Sequence, residues 1–117
     1  MIRRSILLQV AFWGALAVAV VMATLPHPPH TPLDQFGDKV EHMTAFGVMA
    51  ALAAASYPRA SLLRIGERLS FLGALIEVVQ SIPALHRDCD IMDWVADTAA
   101  IIAVLLLVAV IRQRRRS

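Results

Sequence analysis

Hydrophobic residues fall along the chain in four blocks separated by short polar or proline-rich segments. The first, residues 6–25, is apolar except at Gln9, Gly14 and Thr24. At about 1.5 Å per residue, a helix of that length crosses the roughly 30 Å hydrocarbon layer of a bilayer. Arg3 and Arg4 precede it as they would precede the core of a signal peptide. The apolar run is longer than an ordinary signal-peptide core, so it is expected to stay in place as a span. Pro26, Pro28, Pro29 and Pro32 follow within residues 25–32 and cannot continue a helix. The histidines of that loop, His27 and His30, are poorly presented for metal binding.

The second block, residues 39–57, is polar at its start and rich in small residues afterwards. Gly47, Ala50, Ala51, Ala54 and Ala55 recur at helical spacing, which lets helices approach closely in lipid. Tyr57-Pro58-Arg59 ends it, and a basic linker with Arg59, Arg64 and Arg68 against Glu67 follows. The third block, residues 69–85, is interrupted by Glu77, Gln80 and Pro83. Alone it has the length of a re-entrant segment. If residues 62–66 join the same helix, it spans, with Arg64 and Arg68 snorkelling to the surface. The fourth, residues 91–111, is strongly apolar from Trp94 onward and ends at Arg112, Arg114, Arg115 and Arg116. The pattern predicts an all-α, polytopic membrane protein with four transmembrane helices in a single domain, 1–117.

Composition agrees. Of 117 residues, 58% are hydrophobic and 17% charged, more apolar surface than a soluble domain of this length can hide. The bilayer supplies the second solvent. Cys89 is the only cysteine, so no intramolecular disulfide forms and the redox compartment cannot be read from cysteine usage.

Charge placement sets the expected orientation. With four spans and the N-terminus inside, the cytoplasm receives Arg3, Arg4, Arg59, Arg64, Arg68, Arg112, Arg114, Arg115 and Arg116, all but two of the 11 basic residues. Lys39 and Arg87 fall on the other side, together with every acidic residue except Glu67. The expected topology is therefore N-in and C-in, multi-pass in the inner (cytoplasmic) membrane. The arginine tail reads as a topology anchor against anionic lipid, and no nucleic-acid partner is expected.

The ionisable residues that remain gather at the opposite surface. Asp38, Lys39 and His42 open the second block, and their i, i+3 and i, i+4 spacings share one helix face. Glu77 and Gln80 lie near the end of the third block, Arg87 and Asp90 between the third and fourth, and Asp93 and Asp97 one turn apart in the fourth. Charged groups near hydrocarbon cost several kcal/mol unless paired, so these are expected to face one another within the bundle. Lys39 or Arg87 is the natural counter-ion of Glu77. The carboxylates Asp38, Glu77, Asp90, Asp93 and Asp97 outnumber those two cations. Either some of them hold protons, or a cation or cationic ligand joins the site. His42, Glu77 and Asp93 are the possible metal ligands. No HExxH, GxSxG or phosphate-binding loop occurs, and no cofactor is indicated. A network of ion pairs that merely fixes helix register explains any one of these pairs, but a set this large is a costly way to hold helices together.

Asp38-Lys39-x-x-His42, Glu77-x-x-Gln80, Pro83, Arg87, Asp90, Asp93 and Thr98 together resemble the VanZ-like family, named for a teicoplanin-resistance protein. The resemblance covers residues 38–100 and agrees in spacing as well as identity. Two positions depart from the family pattern: Asp97 stands where the family usually has Asn, adding a negative charge, and Ala100 where it usually has Gly. The resemblance implies a small envelope-related membrane protein of a family best known through reduced susceptibility to glycopeptide antibiotics.

Three functional readings follow. The first is a non-enzymatic protein whose outer polar pocket binds a lipid-linked cell-wall component or an envelope protein. The alternative is a membrane enzyme acting on an envelope lipid or polyprenyl phosphate. There His42 or Glu77 would act as general acid or base, and Lys39 with Arg87 would hold the anionic group. A proton- or ion-coupled transporter module built on Glu77 and His42 is the third, and at this chain length it needs an oligomer. Trp94 is expected to anchor at the membrane interface and Trp13, in mid-span, to pack between helices. Cys89 reads as a bystander thiol.

Overall fold

The computed structural model describes residues 3–25, 37–82 and 91–116, with the backbone alone of Asp38. Every regular element among them is a helix: α1 Arg4–Thr24, α2 Asp38–Ser56, α3 Leu62–Gln80 and α4 Ile91–Arg116. The proline-rich loop with His27 and His30, and the stretch holding Pro83, Arg87, Cys89 and Asp90, lie outside the described residues.

Helix ends differ from the hydrophobic blocks, and α3 takes the longer reading in which residues 62–66 join it. α3 begins at Leu62, so Arg64, Glu67 and Arg68 are helical and the basic linker shrinks to a short turn. The cause is local: the Ser61 hydroxyl accepts from the Arg64 amide at 3.4 Å, capping the first turn. At its other end α3 stops at Gln80, short of residue 85. α4 runs through its arginine tail to Arg116, because arginine is a good helix former and cations favour a helix C-terminus.

Side-chain contacts between helix ends fix the packing order. Gln9 of α1 donates to the Ser56 carbonyl at the end of α2, and Trp13 donates to the Tyr57 hydroxyl at 2.8 Å. Arg112 donates to the Ala54 carbonyl at 2.8 Å, joining the last turns of α4 and α2. At the opposite end Gln80 donates to the Ala23 carbonyl at 2.9 Å, joining α3 to the last turn of α1. Successive helices are therefore antiparallel. One end of the bundle collects the arginines, and the other collects Lys39, His42, Glu77, Asp93 and Asp97.

α2 is the central helix, packed against α4 and α1 most extensively and against α3 less. Its small-residue stripe makes this possible: Ala50, Ala53 and Ala54 are buried, as are Met49 and Phe46. Ile101 and Leu105 of α4 and Ile65, Leu69 and Ile76 of α3 complete the core. α3 and α4 approach closely at Gly66, where a Cβ would stand 3.2 Å from Leu105 Cδ1.

α1 and α4 are long and apolar enough to cross a membrane, and only 11% and 17% of their most apolar windows are buried inside the protein. Those side chains face outward, unlike the core helices of a soluble domain. α2 and α3 are less apolar because they carry the charges: Asp38, Lys39 and Glu41 in the first turn of one, and Arg64, Glu67, Arg68 and Glu77 along the other. Trp13 does not pack between the helices as expected. Trp13 is 55% exposed while its neighbour Phe12 is buried, the ring without a polar edge taking the interior position. Trp94 packs between helices, its indole donating to the Ser70 carbonyl at 2.9 Å.

Candidate functional site

The site is built in layers at the acidic end of the bundle. Chain entry into α2 is set by Gly37, whose φ of +89° belongs to a region that residues with a Cβ rarely adopt. One turn of helix then presents Lys39 and His42. From α3 comes Glu77, which is 5% exposed, and from α4 Asp93, which is half-buried. Lys39 Nζ lies 3.3 Å from Asp93 Oδ1, an ion pair between α2 and α4. The ligating atoms of His42, Glu77 and Asp93 all fall within 4.8 Å of one another. Three helices thus bring one imidazole and two carboxylates to a single point.

The next layer, one helical turn deeper, is made by Phe46, Gly73 and Asp97. Phe46 is four residues after His42, Gly73 four before Glu77 and Asp97 four after Asp93. A Cβ at Gly73 would meet Trp94 Cδ1 at 3.4 Å and Phe46 Cζ at 3.5 Å, so the three helices are in contact directly beneath the charged layer. Asp97 is 2% exposed, and its Oδ1 has no hydrogen-bond partner among the described residues. Its carboxylate lies within electrostatic reach of Asp93, Glu77 and Lys39. Below it the Ser70 and Thr98 hydroxyls meet at 2.9 Å, closing the polar column between α3 and α4.

Of the residues singled out from sequence, Lys39, His42, Glu77, Asp93 and Asp97 come together. Gln80 is buried but turned elsewhere: its amide satisfies the Ala23 carbonyl, an orphan acceptor at the end of α1. It braces α1 against α3 rather than joining the charged group. Arg87 and Asp90 lie outside the described residues, as does the side chain of Asp38. Lys39, one of the two expected counter-ions, pairs with Asp93.

Sequence reasoning missed Ser70, Gly73 and Trp94, which set the floor of the site. Their signal was present: Gly66, Ser70 and Gly73 form a small-residue stripe at spacings of four and three, the mark of close helix approach. The role of Arg112 was also missed, because an arginine after an apolar run reads as an anchor, whereas here it caps the last turn of α2.

Among the described residues, the site offers one nitrogen and several oxygen donors in a sheltered place, with one ammonium at its rim. That set can hold a cation, bind a mixed-charge ligand, or exchange protons through His42 and Glu77. Compared with protein-family models, curated proteins and solved structures, the chain matches none.

Proposed function

We propose that this protein spans the inner membrane four times, with both termini in the cytoplasm, and that its outward-facing polar pocket binds a lipid-linked cell-wall component or an envelope protein. The observation that carries this reading is the meeting of Lys39, His42, Glu77, Asp93 and Asp97, from three helices, at the end of the bundle remote from the arginines. Intramembrane ionisable groups are expensive and are retained where they do work. Membrane insertion of α3 is supported by its outward face, where Leu63, Phe71, Leu75 and Val78 are all exposed. The VanZ-like pattern over residues 38–100 adds glycopeptide (teicoplanin) resistance as the cellular role.

Binding of a polyprenyl-pyrophosphate-linked cell-wall precursor to the protein in nanodiscs tests this reading. Saturable binding that is lost in Glu77→Gln and Asp93→Asn, with helicity retained, is the expected result. Absence of binding, or equal binding by both variants, overturns it. Orientation is tested separately through Cys89: a membrane-impermeant maleimide should label it from the outside of intact spheroplasts, and labelling only after permeabilisation would refute the topology.

A second reading, a membrane enzyme acting on a lipid-linked or polyprenyl phosphate, draws on the closeness of His42 to Glu77 and Asp93. His42 would move the proton and Lys39 would hold the phosphate. Release of inorganic phosphate from polyprenyl phosphates, lost in His42→Ala, would favour it over simple binding.

A further inference from the structure

We propose that His42, Glu77 and Asp93 form a site for a divalent first-row metal ion, and that the Lys39 ammonium is its built-in competitor, displaced from Asp93 as the metal enters. The proposal rests on the reading of this pocket as the functional site and names what occupies it. Its first support is geometric. A metal ion bound at about 2.0–2.2 Å from each of three ligands requires those ligand atoms to lie about 3–3.5 Å apart. Here they all lie within 4.8 Å. Side-chain rotation by roughly an ångström closes that gap, with no change in the helices.

The second support is Asp97. A buried carboxylate oxygen without a partner costs free energy, and a bound ion is one thing that satisfies such an oxygen. Asp97 is nearly fully buried, its Oδ1 has no hydrogen-bond partner among the described residues, and its charge faces Asp93 and Glu77. Among the described residues, the carboxylates Glu77, Asp93 and Asp97 outnumber the single cation Lys39, so the pocket attracts a further positive charge. Asp97 sits one turn behind Asp93, where it adds field to the site and holds the cation from below.

The donor set decides the class of metal. One imidazole nitrogen with carboxylate oxygens and no thiolate suits Mn(II), Fe(II) or Zn(II), and disfavours copper(I), which prefers sulfur. Mg(II) and Ca(II) prefer oxygen alone and gain little from His42. Lys39 lies at the rim, its side chain 47% exposed against 14% for Asp93, so the ammonium can withdraw into water while Asp93 stays. An apo site kept closed by a tethered cation avoids repulsion among its carboxylates until metal arrives.

The test is a titration of chelator-treated protein in nanodiscs with Mn(II), followed by loss of the free-ion electron paramagnetic resonance signal, with Zn(II) as competitor. One Mn(II) per chain is expected, with nitrogen coupling to the bound ion that disappears in His42→Ala. Glu77→Gln and Asp93→Asn should each weaken binding at least tenfold, and Lys39→Met should tighten it several-fold. Helical content by circular dichroism identifies any variant that fails to fold, and the wild-type titration and the Lys39→Met direction stand without the others. Folded wild type that binds neither ion, wild-type affinity in His42→Ala, or weaker binding in Lys39→Met each overturns the proposal. If folded protein binds neither ion yet still binds the lipid-linked precursor in a Glu77-dependent way, the metal site falls and the binding pocket stands. If metal binds as described and the precursor does not, the reverse holds.

Discussion

Replacing Asp97 with asparagine separates charge from shape at the most buried member of the site. The two side chains have nearly the same size, so the packing of Phe46 and Trp94 at Gly73 in the same layer is left in place. What changes is electrostatic. Asp97 and Asp93 are four residues apart on α4, a spacing that places their side chains about 6 Å apart. Two like charges at that distance repel by about 3 kcal/mol at an effective dielectric of about 20. Glu77 adds a second repulsion and Lys39 an attraction of the same order, so these two nearly cancel. Asp97 Oδ1 further costs about 1–3 kcal/mol as a buried acceptor without a partner. The asparagine amide removes the charge and brings two donors that can face the remaining carboxylates. Solvent screening and relaxation reduce the sum, leaving metal-free Asp97→Asn more stable than wild type by about 1–3 kcal/mol. Equilibrium unfolding in mixed micelles with increasing sodium dodecyl sulfate, in excess chelator, measures it. Saturating Mn(II) should shrink the difference. Ligand at about 100 times its dissociation constant stabilises the folded state by about 2.7 kcal/mol, and a tenfold loss of affinity in the variant removes about half of that. A metal-free variant less stable than wild type would show that Asp97 is a well-satisfied structural group and refute this reasoning.

Other substitutions probe the supports of the site. Gly37→Ala forces a Cβ into a positive-φ conformation at a cost of about 1–3 kcal/mol. Faster amide exchange at the start of α2 should report it, and unchanged exchange there would contradict the role given to Gly37. At Gly66, alanine gains helix propensity against a close approach to a flexible Leu105 methyl and should be near neutral, whereas Gly66→Leu overpacks the α3–α4 contact and should cost about 1–3 kcal/mol. Equal unfolding midpoints for the two variants would show that the helices are not in contact there. Trp94→Phe loses the bond to the Ser70 carbonyl and should cost about 1 kcal/mol, more than Trp13→Phe, whose partner hydroxyl is exposed. The reverse order in unfolding measurements would contradict the packing role given to Trp94.

The helices were legible in the sequence because hydrophobic block length and proline placement are local signals. Their ends were less so. The start of α3 depends on a single serine cap in a stretch whose arginines look like linker, and the end of α4 depends on arginines that are both tail and good helix formers. Lys39, His42, Glu77, Asp93 and Asp97 could be named in advance because each is costly at the edge of an apolar run and their spacings select one face. Their pairing could not, since it depends on rotation of each helix about its axis. Gln80 shows the difference: three residues from Glu77, it turns to α1 instead of α4. The tryptophans show it again. Hydropathy locates a ring along the helix axis and leaves open which side of the helix it occupies.

Cross-linking across the site tests most directly whether α2 and α4 meet at their acidic ends. In a Cys89→Ser background, His42→Cys with Asp93→Cys should join under a short bismaleimide in native membranes. The link should keep the two halves together after cleavage at a protease site placed in the turn between α2 and α3. His42→Cys with Arg112→Cys, at opposite ends of the bundle, should not join. Efficient linkage of the first pair alone is the expected result, and failure of that pair, or equal linkage of both, would contradict the proposed site.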